Sequence, residues 1–245
     1  MRSERREGVP RAVHSMAYEN AATLGEKCHR MLFEHGTPFR RLPEASPDKE
    51  LKKEGRPMEH PHIPLEDLQV QVAACRRCPL CDGRTQTVFG VGNPNARVLI
   101  VGEAPGKNED LQGEPFVGAA GKYLNELLAI AGLSREDVYI ANVLKCRPPS
   151  NRDPRPEEIQ ACTPFLREQT RTINPEYIVT LGNFSTKFIL KTDVGITRLH
   201  GTLQRAGRFK VFPIFHPAAA LYDSKKREAL ENDFATLGEL LRGEV

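Results

Sequence analysis

Four short apolar runs, each followed by a helical pattern, constrain this chain more than any other feature. They are Arg97-Val-Leu-Ile-Val-Gly102, Val138-Tyr-Ile-Ala-Asn-Val143, Tyr177-Ile-Val-Thr-Leu181 and Phe209–Phe215. Each is short, and largely apolar rather than alternating, as expected of strands buried on both faces. Between and after them lie helical patterns. Ala119–Leu133 places Leu124, Leu127, Leu128 and Ala131 on one face, and Pro156–Ile173 opens with proline in its first turn. Asn183–Leu190 and Ser224–Leu241 continue the alternation. Strand and helix in turn predict an α/β fold, a three-layer α/β/α sandwich with a central four-stranded parallel sheet. Ligands of such sheets sit beyond the carboxyl ends of the strands. Here those ends carry Gly102-Glu-Ala-Pro-Gly106, Asn142 and His216-Pro217, so three polar loops are expected to converge on one edge.

The regular pattern starts at Pro64, with Leu65–Ala74 reading as a helix. Residues 1–63 are expected to form an N-terminal extension, and 64–245 the folded domain. Within the extension Arg2–Arg11 is charged and reads as disordered. Ala17, Ala21, Leu24, Cys28, Met31 and Leu32 fit one amphipathic helix, and the six prolines from Gly36 to Pro64 read as a linker. Net charge is +3, with 12 basic and 10 acidic residues up to position 63 and 23 and 22 beyond it. Any nucleic-acid contact must therefore come from local clusters. No run of about 18 apolar residues predicts a membrane span, and no apolar segment follows the charged N-terminus. A cytoplasmic location, with reduced thiols, is the expectation. A monomer is the default.

Six cysteines in a reducing compartment call for metal binding or chemistry. Cys75-x2-Cys78 precedes the first strand, and Cys146 and Cys162 flank the loop after the second. Four thiolates suit a zinc ion or an iron–sulfur cluster equally well, and buried unliganded cysteines are a third reading. Cys81 adds a third candidate for two places in the first group.

Five segments together resemble the family 4 uracil-DNA glycosylases of the uracil-DNA glycosylase superfamily. They are Gly83-Arg-Thr-Gln-Thr-Val-Phe-Gly-Val-Gly-Asn-Pro94, Gly102-Glu-Ala-Pro-Gly-Lys-Asn-Glu-Asp110, Gly113-Glu-Pro-Phe-Val-Gly-Ala-Ala-Gly121, Asn142-Val-Leu-Lys-Cys-Arg-Pro-Pro-Ser-Asn-Arg152 and His216-Pro-Ala218. The resemblance runs from about Leu65 to Asp233 in the right order and spacing. It implies excision of uracil from DNA, leaving an abasic site for base excision repair, by a monofunctional glycosylase. It also implies a [4Fe–4S] cluster held by Cys75, Cys78, Cys146 and Cys162, and it, rather than the spacing, decides the cluster over zinc. Cys81 falls where the family has no ligand. A sister family bonds covalently to its product through a histidine in an inserted basic loop. Here Cys146–Arg152 runs on with no insertion and no histidine. The alternative reading is an iron–sulfur protein that binds or cross-links uracil-containing DNA without turnover.

Breaking the bond between uracil N1 and deoxyribose C1′ puts positive charge on the sugar and negative charge on the base. Donors aimed at the departing base are the largest expected contribution. Asn142 offers one amide to uracil O4 and N3–H, the pattern that cytosine reverses; in isolation it is a strand-end asparagine. His216 is expected to donate to O2. Gly102-Glu-Ala-Pro-Gly106 lacks the lysine and serine or threonine of a phosphate loop, and presents the backbone N–H groups of Glu103 and Ala104. Phe116, otherwise read as a core residue, is expected to stack on the uracil. Glu103, Glu109 and Asn151 are the candidates for holding the attacking water, although Glu109 alone reads as a solvated acid. Phosphate contacts are expected from Lys145, Arg147, Arg152 and Arg155 and from Arg198, His200, Arg205, Arg208 and Lys210. Leu221 is the candidate wedge for the gap left by the flipped base.

Overall fold

The computed structural model describes residues 63–244. The helix and linker read in the extension, and Cys28, lie outside the described residues.

The four expected strands form the centre of the sheet. They are β2 (Val98–Gly102), β3 (Val138–Asn142), β4 (Tyr177–Leu181) and β6 (Phe209–Ile214), and all four run parallel. Two short strands extend it antiparallel at the edges: β1 (Val91–Gly92) on β3, and β5 (Gln204–Ala206) on β6. The sheet therefore has six strands, in the order β1-β3-β2-β4-β6-β5. The two edge strands are two and three residues long, too short to carry any periodicity, which is why they escape a pattern reading. The chain passes from β2 to β3 on one side and then crosses β2 to reach β4. That reversal opens a crevice above the carboxyl end of β2.

Alternate strand residues feed two cores. Leu99, Val101, Tyr139 and Ala141 pack with Leu68 and Val72 of α1 (Leu65–Ala73) and with Phe165 and Leu166 further on. Val98, Ile100, Val138 and Ile140 pack with Leu124, Leu127, Phe234 and Leu237 on the other face. This is the three-layer sandwich. Ile63 packs on the first core, and its carbonyl accepts from Thr172 Oγ1 at 3.0 Å, so the packed unit reaches to that residue at least.

α2 (Leu80–Gly83), before β1, and α3 (Lys107–Gln112), after β2, are short and largely polar. α4 (Ala119–Ile130) ends earlier than its apolar pattern, because Gly132 turns left-handed (φ +74°) and the N–H of Leu133 donates back to the carbonyl of Leu128. α5 (Pro156–Ile173) has the expected bounds. Its start is built by Glu158, whose carboxylate accepts from the N–H of Arg155 at 2.8 Å and pairs with both terminal nitrogens of Arg152. α6 (Gly182–Leu190), α7 (Ile196–Leu199), α8 (Pro217–Ala220) and α9 (Ser224–Arg242) complete the chain. Asp223 caps α9 through the N–H groups of Lys225 and Lys226. Among the described residues no helix is long and apolar enough to cross a membrane.

Candidate active site

Gly102 and Asn142 are hydrogen-bond register partners at the carboxyl ends of β2 and β3. A methyl group on Gly102 would collide with Asn142 Oδ1 and lie 2.9 Å from the Phe116 ring, so only glycine leaves this space open. Asn142 is 2% exposed, and its Oδ1 has no hydrogen-bond partner. An orphaned buried acceptor costs about 1–3 kcal/mol, and a ligand N–H would recover it. The Asn142 backbone is fixed from below: its carbonyl accepts from Lys145 Nζ at 2.8 Å.

Phe116 has φ +55°, a left-handed conformation that costs an aromatic residue on the order of 1–3 kcal/mol and persists only when its surroundings hold it. Its ring stacks on the His216 imidazole, centroids 5.6 Å apart and planes 29° apart. Glu109 Oε1 accepts from the N–H of Val117 at 3.0 Å and of Gly118 at 3.2 Å. Arg135 donates to the carbonyls of Pro115 at 2.8 Å and Phe116 at 3.3 Å. Gly121 on α4 admits the Phe116 carbonyl into space that any side chain would fill.

His216 lies two positions past the end of β6 and caps α8. Its Nδ1 accepts from the N–H of Ala218 at 3.2 Å, which puts the proton of a neutral ring on Nε2. Burial pushes its pKa down to about 4, with the nearby Glu109 charge opposing. The ring is therefore a neutral donor at physiological pH. Burial, with a smaller push from the Asp153 charge, lifts the Glu103 carboxyl to about 7. That places one acid of the site where it can exchange a proton near neutrality.

The loop after Cys146 holds two successive left-handed residues, Ser150 (φ +55°) and Asn151 (φ +53°). Arg147 Nε donates to Asn151 Oδ1 at 2.8 Å. Arg152 is occupied by Glu158 and by the Asp153 carbonyl, so it braces the start of α5. Lys145, grouped with the phosphate contacts by sequence, is 1% exposed and lies inside the molecule. In the second basic group Lys210 pairs with Glu176 at 2.9 Å and His200 with Asp233 at 3.0 Å. Arg198, Arg205 and Arg208 remain exposed. Leu221 packs against the second core, whereas the next residue, Tyr222, is 96% exposed.

Below this site Cys75, Cys78, Cys146 and Cys162 line one pocket together with Leu144, Lys145 and Phe165. Cys81 reaches its rim, with its thiol donating to Asp82 Oδ1 at 3.4 Å. Two donors already point at the sulfurs. Arg84 approaches Cys146 Sγ at 3.3 Å, and the N–H of Lys145 approaches Cys162 Sγ at 3.2 Å. Burial pushes the Cys162 thiol up to about 12, and burial likewise raises Cys78 and Cys146. Cys146 and Cys162 are buried, each with one N–H donor at its sulfur, and Cys75 and Cys78 are half-buried beside them; four thiolates gathered so are a donor set that suits an iron–sulfur cluster.

The sequence signature of the Uracil DNA glycosylase superfamily matches residues 89–237. The chain belongs to that superfamily. Within it, the chain resembles proteins named type-4 uracil-DNA glycosylase. That of Archaeoglobus fulgidus is 50% identical over 184 residues, covering 72% of this chain and 92% of the relative. Those of Sulfurisphaera tokodaii and Saccharolobus solfataricus are 47% and 44% identical and cover 84% and 86% of their own length. Type-4 membership is thus shown across most of the chain.

For this glycosylase-family chain, the structure brings Gly102, Glu103, Ala104, Glu109, Phe116, Asn142 and His216 to one edge of the sheet, as the loop positions implied. Arg135, which holds the Phe116 loop, lies past the end of α4 and outside the motifs, and nothing in its sequence neighbours marks it. Tyr222, exposed beside the wedge candidate Leu221, carries no pattern in the sequence that marks it.

Proposed function

We propose that the chain hydrolyses the N-glycosidic bond of deoxyuridine in DNA, releasing uracil and leaving an abasic site. The buried, unpartnered Oδ1 of Asn142 carries this reading. It accepts uracil N3–H while the Nδ2–H of the same amide donates to O4. Cytosine presents an acceptor at N3 and a donor at C4 and is refused by both atoms.

The flipped base enters above Gly102 and lies against the Phe116 ring. As the N1–C1′ bond breaks, its electron pair passes to the uracil ring, and His216 Nε2–H donates to the charge at O2. One such donor is worth about 10²–10³ in rate. Water supplies the oxygen that bonds to C1′, and its proton passes to Glu103. Glu109 holds the Phe116 loop with Oε1 and adds negative charge beside the sugar cation, and Asn151, steadied by Arg147, borders the water. Phosphates are met by Arg147 and by the exposed Arg198, Arg205 and Arg208. Arg152 holds the loop in place, and Tyr222, with Leu221 behind it, fills the gap left by the base.

Cys75, Cys78, Cys146 and Cys162 would hold a [4Fe–4S] cluster. When bound it ties the segment before β1 to the loop that carries Asn151. Residues 64–245 are the catalytic unit.

The test is a labelled oligonucleotide with one uracil, incubated with the protein and treated with alkali. Strand cleavage at the uracil over many turnovers, reduced about 100-fold or more in His216→Ala, is the expected result. Uncut DNA, or one stable protein–DNA adduct per chain, would contradict it.

A further inference from the structure

Resting on that reading, we propose that Arg135 is a positioning residue for uracil stacking, acting through the Phe116 loop without touching the base. The loop Pro115–Gly118 is held from two sides by opposite charges. Glu109 takes the two N–H groups of Val117 and Gly118. Arg135 gives its two terminal nitrogens to the carbonyls of Pro115 and Phe116, and one of them also to Asn125 Oδ1 at 3.3 Å. The carbonyls of Pro115 and Phe116 and the N–H groups of Val117 and Gly118 are thereby all partnered.

The guanidinium is half-buried, and desolvation lowers its pKa. A charge is not held in such a place for solubility. Its rigid planar fork fits two successive carbonyls with fixed geometry, which a freely rotating ammonium matches less well. Relaxation of the Phe116 backbone to an ordinary φ would swing the ring away from His216 and Gly102. The stacking face for uracil would go with it, while the amide of Asn142 would stay in place.

Arg135→Ala, Arg135→Lys, Phe116→Ala and the Arg135→Ala/Phe116→Ala double variant are to be measured in the full chain. The readouts are single-turnover excision, the affinity for abasic product DNA and thermal melting. Arg135→Ala is expected to slow excision about tenfold with product-DNA affinity unchanged. The lysine variant should fall between it and wild type. In the Phe116→Ala background the arginine substitution should change nothing further, because its effect passes through that ring. Multiplying effects in the double variant would overturn the proposal, as would excision at the wild-type rate in Arg135→Ala. If the alanine variant does not fold, the lysine variant in both backgrounds gives the same decision. Inactive wild-type protein would instead fail the glycosylase reading itself.

Discussion

At the scale of single residues, the site separates its acids by environment. Glu103 sits near 7 because it is half-buried, and His216 sits near 4 because its imidazole is desolvated. The sign for activity follows. If Glu103 must be ionised to take the proton of water, excision rises with pH through about 7 and levels off above it. His216 is neutral across that range and adds no second limb. A pH–rate profile of single-turnover excision should show this rise, and Glu103→Gln should be slow and flat. Stability runs the other way: folded Glu103 holds its proton more tightly than the unfolded chain, so its contribution falls between pH 4.5 and about 7. Gly102→Ala is the complementary steric prediction. The added methyl meets Asn142 Oδ1 and the Phe116 ring, so excision should fall by about 100-fold or more while the strand, buried at all five positions, still folds.

At the scale of elements, the loops around the site are held by charge as much as by packing. Glu158 is the example outside the Phe116 loop. Its carboxylate, 1% exposed, closes the first turn of α5 on Arg155 and Arg152 and so fixes the chain from Asn151 onward. Its pKa lies below the usual range, chiefly through the Arg152 hydrogen bonds. Its stabilisation is therefore complete above its unfolded value of about 4.5 and is lost as pH falls through the lower folded value. Glu158→Gln should lower stability at pH 7 by on the order of 2 kcal/mol, with the difference shrinking toward pH 3. Urea denaturation at the two pH values measures it. The central elements were readable in advance because long apolar runs and helical stripes are repeated signals. β1, β5 and α3 were not, because two to six residues with polar or glycine neighbours hold no period. The resemblance marks Phe116 as the stacking residue, but its left-handed φ and its two charged clamps leave no signal in the sequence.

At the scale of the whole molecule, two distant stretches of chain meet in one cysteine pocket beneath the catalytic edge. Cys75 and Cys78 lie before the sheet, and Cys146 and Cys162 belong to the loop and helix after β3. A cluster held by all four cysteines would cross-link the long loop from Cys78 to Cys146 and restrict the unfolded chain, an effect on the order of 4 kcal/mol for a loop of that length. With the proposed cluster, wild type is expected to carry about four iron and four sulfide, and Cys75→Ser to lose them and melt well below wild type. Analysis of metal and sulfide beside a melting curve checks both. Spacing makes the cysteines candidates for a metal set beside the reading of unliganded thiols, and no spacing tells zinc from a cluster. The same limit applies to the surface: Lys145 reads as one more basic residue near the motif, and only burial shows that it faces inward.

The claim on which the account turns is that one buried amide reads uracil. Asn142→Asp leaves the shape unchanged: ionised, it turns an acceptor toward uracil O4, and protonated, its O–H can meet cytosine N3 while its other oxygen accepts from the cytosine amino group. Excision should be measured under single-turnover conditions on matched oligonucleotides with uracil or cytosine at the same position, for wild type and for this variant. The account predicts that the variant loses uracil excision by about 100-fold and gains measurable cytosine excision that wild type lacks. Uracil excision at the wild-type rate, or a loss on uracil with no cytosine excision gained, would contradict it.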